Sequence, residues 1–249
     1  MEGQIDMISI CCPSRGRAWL AARMINTIYK TVSNLDNVEI LLYLNEDDAT
    51  LDEYKTTISK KHYTVGPDQS TCLSWNRLAE RARGDIVMLA GDDIQFLTKN
   101  WDLEVARVFD LFDDKICMVI PWDDNGKSKG YQHKGKTVPV FVGQEPIGAP
   151  HFFVHKNWIK TLGYFAPPFF WHWYVDTYTK EVSQKLGRCV LLPHIHVEAI
   201  KMFDTTGTRV RKHLNINVRD DYVWEKVKDR HLNADVQILQ QFINNYRKD

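Results

Sequence analysis

The sequence lacks several features that would assign it to a specialised class of protein. It has no excess of charge, because 32 Lys and Arg balance 32 Asp and Glu, and this disfavours a strongly basic nucleic-acid binder. No apolar run approaches the roughly 18 residues of a membrane span, so we expect no membrane partner. The segment from Met1 to Asp6 has two acids and no apolar run, which is not typical of a signal peptide.

Cysteine is also sparse and irregularly placed. An odd number of cysteines without a close repeating spacing disfavours a disulfide framework and a structural zinc site. The pattern is typical of a reducing compartment, and we therefore expect a cytoplasmic protein. The five residues are Cys11, Cys12, Cys72, Cys117 and Cys189.

What the sequence does contain fits a globular protein of 249 residues, with 44% apolar and 26% charged residues. This length suits one large α/β domain. Aromatic residues make up 12%, with eight Trp. Such rings line sugar or base sites in some proteins and fill the core in many others.

The first half alternates short apolar runs with helical patterns. The runs predict strands at 8–12, 38–44, 86–90 and 116–120. Helical spacing is found from Leu20 to Val32, from Thr71 to Arg83 with a stop at Gly84, and from Trp101 to Phe112. Buried strands separated by helices predict a largely parallel central sheet with helices on both faces.

The second half is less regular. We expect an edge strand at Val138–Val142, helices at Trp158–Leu162 and Asp176–Leu186, a strand at Cys189–Leu192 and a last helix carrying Val236 to Tyr246. The segment Asn125–Lys136 has four Lys and no acid, which is typical of a polar loop. No change in composition marks a linker between domains.

Three polar loops directly follow predicted strands. They are Pro13–Arg17, Asn45–Asp48 and Gly91–Asp93. In open α/β sheets, ligands bind beyond the carboxyl ends of the strands. The loops are therefore expected to converge on one site.

Asp92 and Asp93 are the most specific of these loop residues. Adjacent carboxylates at the end of a buried strand are costly unless a positive charge compensates them. Mg²⁺ or Mn²⁺ would do so, since both prefer carboxylate oxygens and are often shared with substrate phosphates. The alternative is an ordinary turn, because Gly-Asp-Asp also favours turns.

The order of these segments resembles GT-A fold glycosyltransferases, especially the inverting family two. The matching segments are ISICCPSRGR at 8–17, LYLNEDD at 42–48, CLSWNRLAERARGD at 72–85 and IVMLAGDDI at 86–94. Order and spacing agree across about the first hundred residues. In this register, Ala90 replaces the first Asp of the family's Asp-x-Asp motif, and Asp92 matches the last.

The resemblance implies one Rossmann-like GT-A domain over 1–249. About 1–122 would form the nucleotide-sugar-binding half, and about 123–249 the acceptor half with the C-terminal helix. It implies a metal-dependent transferase that uses a nucleoside-diphosphate sugar, with UDP favoured, and Mn²⁺ or Mg²⁺. The donor contacts implied are Pro13, Ser14, Arg15, Arg17, Asn45, Asp47, Asp48, Asn76 and Asp92, and the metal ligands are Asp92, Asp93 and His196. Which Asp is the main ligand stays open.

The segment GYFAPPFFWHWYVDTYTKEV at 163–182 resembles the part of the family that carries the general base, and Asp176 matches that acid. An inverting transfer needs a carboxylate within reach of the attacking hydroxyl. The alternative is that Asp176 caps the helix that it begins, because Asp is a favoured N-cap residue. The two roles are compatible.

Other candidates have weaker support. The family often supplies a late His to the metal, and His194 and His196 follow the strand at Cys189–Leu192, with His196 preferred. Arg15 and Arg17 suit diphosphate oxygens or are simply solvated. The aromatic side chains of Trp171, Trp173 and Tyr174 would form a wall of the acceptor or donor sugar site or, equally, pack under the Pro167-Pro168 turn.

The acceptor is open between a saccharide and a 5-hydroxymethylated pyrimidine in DNA. The second option resembles phage DNA-modifying glycosyltransferases and relies on the basic segments Lys127–Lys136 and Arg209–Lys212. These segments could follow a polyanion, although solvated lysines are the more common explanation of such a pattern. A nucleotidyltransferase is a further alternative, disfavoured by the single Gly in PSRGR. A non-catalytic nucleotide-binding or lectin-like module is the third.

Overall fold

The computed structural model describes residues 6–123, 132–133, 136–137, 149–199 and 216–246. They form one eight-stranded sheet with helices on both faces, and a separate two-stranded ladder. The predicted α/β class with a largely parallel sheet is confirmed. Among the described residues, no helix is both long and apolar enough to cross a membrane.

The elements that position the site are as follows in chain order. They are β1 (Ile8–Ser14), α1 (Ala18–Thr31), β2 (Val38–Asn45), α2 (Leu51–Thr57), β3 (Tyr63–Gly66), α3 (Thr71–Arg81), β4 (Ile86–Leu89), β5 (Ile94–Phe96), α4 (Trp101–Asp110), β6 (Met118–Asp123), β7 (Gln132–His133), β8 (Lys136–Thr137), β9 (Phe152–His155), α5 (Lys156–Leu162), α6 (Val175–Lys185), β10 (Cys189–Ala199), α7 (Ile216–Lys226) and α8 (Lys228–Tyr246).

The strand order in the large sheet is β3-β2-β1-β4-β9-β6-β10-β5. Strands β1 to β4 are mutually parallel, and β6 pairs in parallel with β10. Strand β9 runs antiparallel between β4 and β6, and β5 runs antiparallel to β10. Because β1 to β4 are parallel, the loops that follow them lie at one edge of the sheet.

Alternation along the strands divides the core between the two faces. In β1, Ile10 and Cys12 pack in the cluster that holds the apolar faces of α1 and α4, whereas Cys11 packs in the cluster with α3, α5, α6 and α8. Both clusters are buried, which is why the central strands read as continuous apolar runs. The buried stripe of α1 includes Leu20, Met24 and Ile28, as predicted.

Several boundaries differ from the prediction. Helix α3 ends at Arg81, so Gly84 does not terminate it. A glycine is needed at 84 because the backbone there packs closely, and a Cβ would clash with the Met7 carbonyl oxygen. Strand β10 continues to Ala199, with a shift in its pairing between Leu192 and His196. The elements α2, β3, β5, β9 and α7 were not predicted. The expected edge strand at 138–142, most of the basic segment 125–136 and the segment 209–212 lie outside the described residues.

Candidate active site at the carboxyl edge of the sheet

The first two loops are joined by an ion pair at the carboxyl ends of β1 and β2. Arg15 forms a two-pronged contact with Asp47, with Nη1 2.5 Å from Oδ1 and Nη2 2.9 Å from Oδ2. Asp68, in the loop after β3, lies 3.8 Å from Arg15 Nη1 and accepts a hydrogen bond of 2.8 Å from Asn45 Nδ2. These four side chains form a charged rim, and Asp68 was not among the predicted residues.

Asp48 also connects these two loops, beneath the exposed charged rim. Its side chain is buried, and its Oδ2 accepts a 2.9 Å hydrogen bond from the Gly16 amide. Its Oδ1 accepts from the amide and the hydroxyl of Thr50, each at 2.9 Å. Asp48 therefore fixes the backbone of both loops. Its predicted donor contact stays a prediction.

Asp92 is the buried acid of the turn after β4. It is 0% exposed, and its Oδ2 accepts hydrogen bonds from Ser14 Oγ at 2.5 Å and from Arg17 Nε at 3.1 Å. Arg17 Nη2 lies 2.6 Å from Oδ1, a close ion pair without the alignment of a hydrogen bond. Burial raises the pKa of Asp92 to about 6, while the Arg17 charge and the Ser14 hydrogen bond oppose the rise. Asp92 is thus committed to neighbouring protein groups.

Tyr54 of α2 completes this network. Its hydroxyl lies 2.7 Å from Ser14 Oγ and accepts a 2.9 Å hydrogen bond from the Arg17 amide. Because Ser14 donates its proton to Asp92, Ser14 must accept from Tyr54. The sequence did not point to Tyr54, since an aromatic residue in a short helix looks like an ordinary core residue.

Asp93 differs from its neighbour in being accessible. Its side chain is 30% exposed, and Arg17 Nη1 lies 3.8 Å from its Oδ2. Within the described part of the chain, no three His, Cys, Asp or Glu side chains are grouped closely enough to hold a metal by themselves. Mg²⁺ and Mn²⁺ are commonly held by one or two carboxylates together with substrate phosphates and water. The residues present fit such a shared site, with Asp93 as the accessible carboxylate.

The turn before Asp93 has no room for a side chain, and this leads to a prediction. A Cβ on Gly91 would lie 2.7 Å from Asp93 Oδ1 and 3.5 Å from His151 Cε1. In Gly91→Ala, the Asp93 carboxylate is expected to rotate away, because the end of a side chain moves at little cost. Unfolding free energy should fall by less than about 1 kcal/mol, whereas Mn²⁺ affinity should fall about tenfold.

Thermal unfolding and a calorimetric Mn²⁺ titration in the presence of UDP would measure the two effects of Gly91→Ala. If Gly91→Ala binds Mn²⁺ with unchanged affinity, Asp93 is not a metal ligand.

The aromatic segment at 171–173, which follows α5, lies near the turn after β4 because both contact Trp75 of α3. Trp75 Nε1 donates to the Ala90 carbonyl oxygen at 3.3 Å. The Trp75 ring is nearly parallel to that of His172, with centroids 6.5 Å apart, and His172 Nδ1 lies 2.9 Å from Thr71 Oγ1. Residues 171–173 therefore lie close to the end of β4.

Asp220 of α7 holds this segment. It is fully buried and accepts hydrogen bonds of 2.8 to 2.9 Å from three successive amides, those of Trp171, His172 and Trp173. Tyr174 packs on Trp224, with centroids 4.6 Å apart, and its hydroxyl donates to Asp221 at 2.5 Å. These contacts fasten Tyr174 to α7. The aromatic wall of Trp171, Trp173 and Tyr174 stays a prediction.

Asp176 lies at the start of α6 but does not cap it. The helix begins at Val175, and the N-cap position is occupied by Tyr174 in the left-handed conformation, without a side-chain cap. The capping alternative for Asp176 is therefore wrong. Its Oδ2 accepts a hydrogen bond of 3.3 Å from the Ala149 amide. Its predicted role as a base stays a prediction.

Four other predicted residues have positions or contacts that do not test their roles. The amide of Asn76 donates to the Ala166 carbonyl at 2.8 Å and accepts from the amides of 165 and 166, so it fastens α3 to that segment. The backbone of His196 is joined to residues 97 and 98. His194 is 55% exposed, with Nε2 3.8 Å from Glu104 Oε2. Pro13 lies within β1.

Several solved structures are similar to this chain in fold. No protein-family model matches the chain, and a comparison with curated proteins found no match. The chain is similar to a mannosyltransferase from Pyrobaculum calidifontis in complex with GDP-Man and Mn²⁺, at 14% identity and a TM-score of 0.57, over 96% of this chain and 75% of that one. It is also similar to TarS 1–349 from S. aureus in complex with UDP, at 14% identity and 0.57, over 98% and 72%.

A third similar structure is GalNAc-T7 with UDP, GalNAc and Mn²⁺, at 14% identity and a TM-score of 0.58. The match covers 99% of this chain but 55% of GalNAc-T7. At such low identity the three comparisons establish the fold. The predicted GT-A fold is confirmed, and the activity is taken up as a proposal.

Proposed function

We propose that this protein is a glycosyltransferase that moves a sugar from a nucleoside-diphosphate donor to a hydroxyl group. The observation that carries the proposal is the accessible Asp93 beside the buried Asp92–Arg17 pair, at the edge of a GT-A sheet where ligands bind. The fold by itself is compatible with a non-catalytic binding module as well as with an enzyme. A partly exposed carboxylate next to a fixed guanidinium is suited to the diphosphate and its counter-ion.

The nucleotide would lie across the first three loops. The charged rim of Arg15, Asn45, Asp47 and Asp68 surrounds the space beyond β1 to β3, and its donors and acceptors suit the polar edges of a base and a ribose. The Arg17 side chain is less exposed than that of Arg15, at 15% against 26%, and it would contact the diphosphate that follows the nucleoside. UDP is the preferred nucleotide, because TarS and GalNAc-T7 were both solved with UDP.

A divalent cation, Mn²⁺ or Mg²⁺, would be held by Asp93 and the donor phosphates and would neutralise charge on the leaving diphosphate. Arg17 and Ser14 keep Asp92 in place and so keep the turn ordered. Asp92 is thus a support of the site, and Asp93 its accessible ligand. His196 remains a proposed further ligand.

The transfer itself would use Asp176. Its carboxylate would take the proton of the acceptor hydroxyl as the oxygen bonds to the anomeric carbon. At the same time the bond from that carbon to the phosphate oxygen breaks, and the electron pair leaves with the nucleoside diphosphate. Attack from the face opposite the leaving group inverts the anomeric configuration.

The acceptor proposal keeps two arms. A saccharide is one. A 5-hydroxymethylated pyrimidine in DNA is the other, supported by the basic character of the segments at 127–136 and 209–212. Transfer assays on hydroxymethylated DNA, with unmodified DNA as the blank, and on glycans, with a reaction without glycan as the blank, distinguish the two.

Nucleotide binding tests the proposal directly. We expect UDP or GDP to bind with Mn²⁺ present, and Asp93→Asn to weaken the Mn²⁺-dependent binding at least about tenfold. The matched control is Asp85→Asn, because Asp85 is an exposed acid directly before β4, at the opposite end of the same strand. Calorimetry measures all three proteins. Equal affinities in all three would contradict the assignment of Asp93, and no binding in any would contradict the function.

A further inference from the structure

His151 is a buried residue at the site to which the proposed transfer gives no role. It directly precedes β9 and is 6% exposed. Its Nδ1 accepts a hydrogen bond of 3.4 Å from the amide of Gly91, the residue before the two acids. A histidine between Pro150 and Phe152 gives no sequence signal for such a contact.

The direction of this hydrogen bond fixes the form of the ring. An imidazole nitrogen that accepts a hydrogen bond carries no proton, so a neutral His151 has its proton on Nε2. The ring also packs against Gly91 itself, because a Cβ there would lie 3.5 Å from His151 Cε1 and 2.7 Å from Asp93 Oδ1. The imidazole and the Asp93 carboxylate therefore flank the same glycine.

The segment that carries His151 also contacts the proposed base. Ala149, two residues earlier, donates its amide hydrogen to Asp176 Oδ2 at 3.3 Å. Two residues of extended chain span at most about 7 Å. Residues 149–151 thus join the turn that would hold the donor to the helix that would supply the base.

We propose that His151 is a positioning residue that fixes the Gly91 peptide, and with it Asp93, relative to Asp176. The inference rests on the proposed function, because the groups that it aligns are those of the transfer. The acting atom is Nδ1. His151 itself need not touch the sugar.

Two substitutions by amide residues distinguish the role of Nδ1 from that of Nε2. In His151→Asn, the side-chain oxygen reaches about as far as Nδ1 and can still accept from the Gly91 amide, whereas in His151→Gln it reaches about as far as Nε2. We expect donor turnover (kcat/KM) to stay within about threefold of the native protein in His151→Asn. In His151→Gln and His151→Ala it should fall about tenfold or more, as expected for one lost neutral hydrogen bond in an aligned site.

His155 provides the matched control. It lies at the other end of β9, and its Nδ1 accepts a 3.0 Å hydrogen bond from the Asn157 amide, the same kind of contact away from the site. The substitutions His155→Asn and His155→Gln should both leave kcat/KM unchanged. A purely structural role of His151 would make the two positions behave alike.

Hydrogen exchange of the Gly91 amide gives a readout that needs no substrate. In protein labelled with ¹⁵N-glycine, only 13 glycine residues contribute signals. The Gly91 amide should exchange slowly in the native protein and in His151→Asn, and faster in His151→Gln and His151→Ala. If no donor is turned over, the proposed function fails, but this exchange pattern still decides whether the His151–Gly91 bond exists.

The opposite order of activities, with His151→Gln active and His151→Asn inactive, would overturn the proposal and make Nε2 the acting atom. Native turnover in all three variants, or an unprotected Gly91 amide in the native protein, would also overturn it.

Discussion

Replacing Asp176 by Asn is expected to reduce sugar transfer by about 10²- to 10⁴-fold, the usual contribution of a positioned general base. The amide oxygen can still accept the hydrogen bond from the Ala149 amide, so the start of α6 should keep its structure. The amide cannot take the proton of an attacking hydroxyl. Steady-state transfer kinetics, with donor affinity measured separately by calorimetry, would show a loss in kcat at nearly constant donor affinity.

Asp52→Asn is a suitable control for this variant, because Asp52 is an exposed acid of α2 whose ion pair is with Lys55. Its transfer rate should match that of the native protein. If Asp176→Asn transfers sugar at the native rate, Asp176 is not the base. A non-catalytic nucleotide-binding or lectin-like module would tolerate the change without loss of its binding activity.

Replacing Arg17 by Met is expected to cost about 3 kcal/mol of unfolding free energy at pH 7. The substitution leaves Asp92 buried without its counter-ion, and breaking a buried ion pair from one side costs about 3–5 kcal/mol. The lower figure applies because Asp92 can take up a proton. Chemical denaturation of the protein without nucleotide measures the effect.

The loss should depend on pH in a defined direction. Burial raises the pKa of Asp92 to about 6, above the pKa of Asp in the unfolded chain. Between these two pKa values the folded protein binds more protons than the unfolded chain, so the free energy of unfolding falls as the pH rises from about 4 to 6. Removing the guanidinium raises the pKa of Asp92 further and extends this fall to higher pH. The deficit of Arg17→Met should therefore be largest near pH 7 and smallest near pH 4, where Asp92 is protonated in both proteins.

Arg15→Met is the matched comparison for stability, because Arg15 lies in the same loop but its partner Asp47 is half exposed. A surface ion pair contributes about 0–1 kcal/mol, so this variant should unfold almost like the native protein at any pH. If Arg15→Met and Arg17→Met lose equal stability, or if the loss does not change with pH, the buried Asp92–Arg17 pair is not what orders the turn.

The sequence was sufficient for the fold class and for the shared edge of the sheet at which the candidate site lies. Apolar runs such as those of β1 and β4 could be identified because both faces of the sheet are covered, and the loops after them must lie at one edge. The sequence identified Asp92 and Asp93 as candidates, but it did not show that Asp92 is buried and Asp93 accessible. That difference arises from tertiary contacts, since Ser14 and Arg17 pair with Asp92 from the end of β1 and the loop after it, more than 70 residues earlier.

Three of the residues that the sequence missed share one property. Tyr54, His151 and Asp220 each bind the backbone or hydroxyl of a residue far away in the chain. An isolated Tyr, His or Asp has no local pattern that reveals such a partner. Local signals were misleading where packing decides instead, as at Gly84, whose role is contact with the Met7 carbonyl and not helix termination.

Release of nucleoside diphosphate is the most direct test of the central claim that this is a nucleotide-sugar transferase. The native protein and Asp93→Asn would be incubated with a panel of UDP- and GDP-sugars, with and without Mn²⁺, and the free diphosphate measured. The account predicts Mn²⁺-dependent release from a particular donor by the native protein and its loss in the variant. No release and no binding with any donor would contradict it and would leave an interaction module on this fold, whereas binding without release would indicate a nucleotide-binding module.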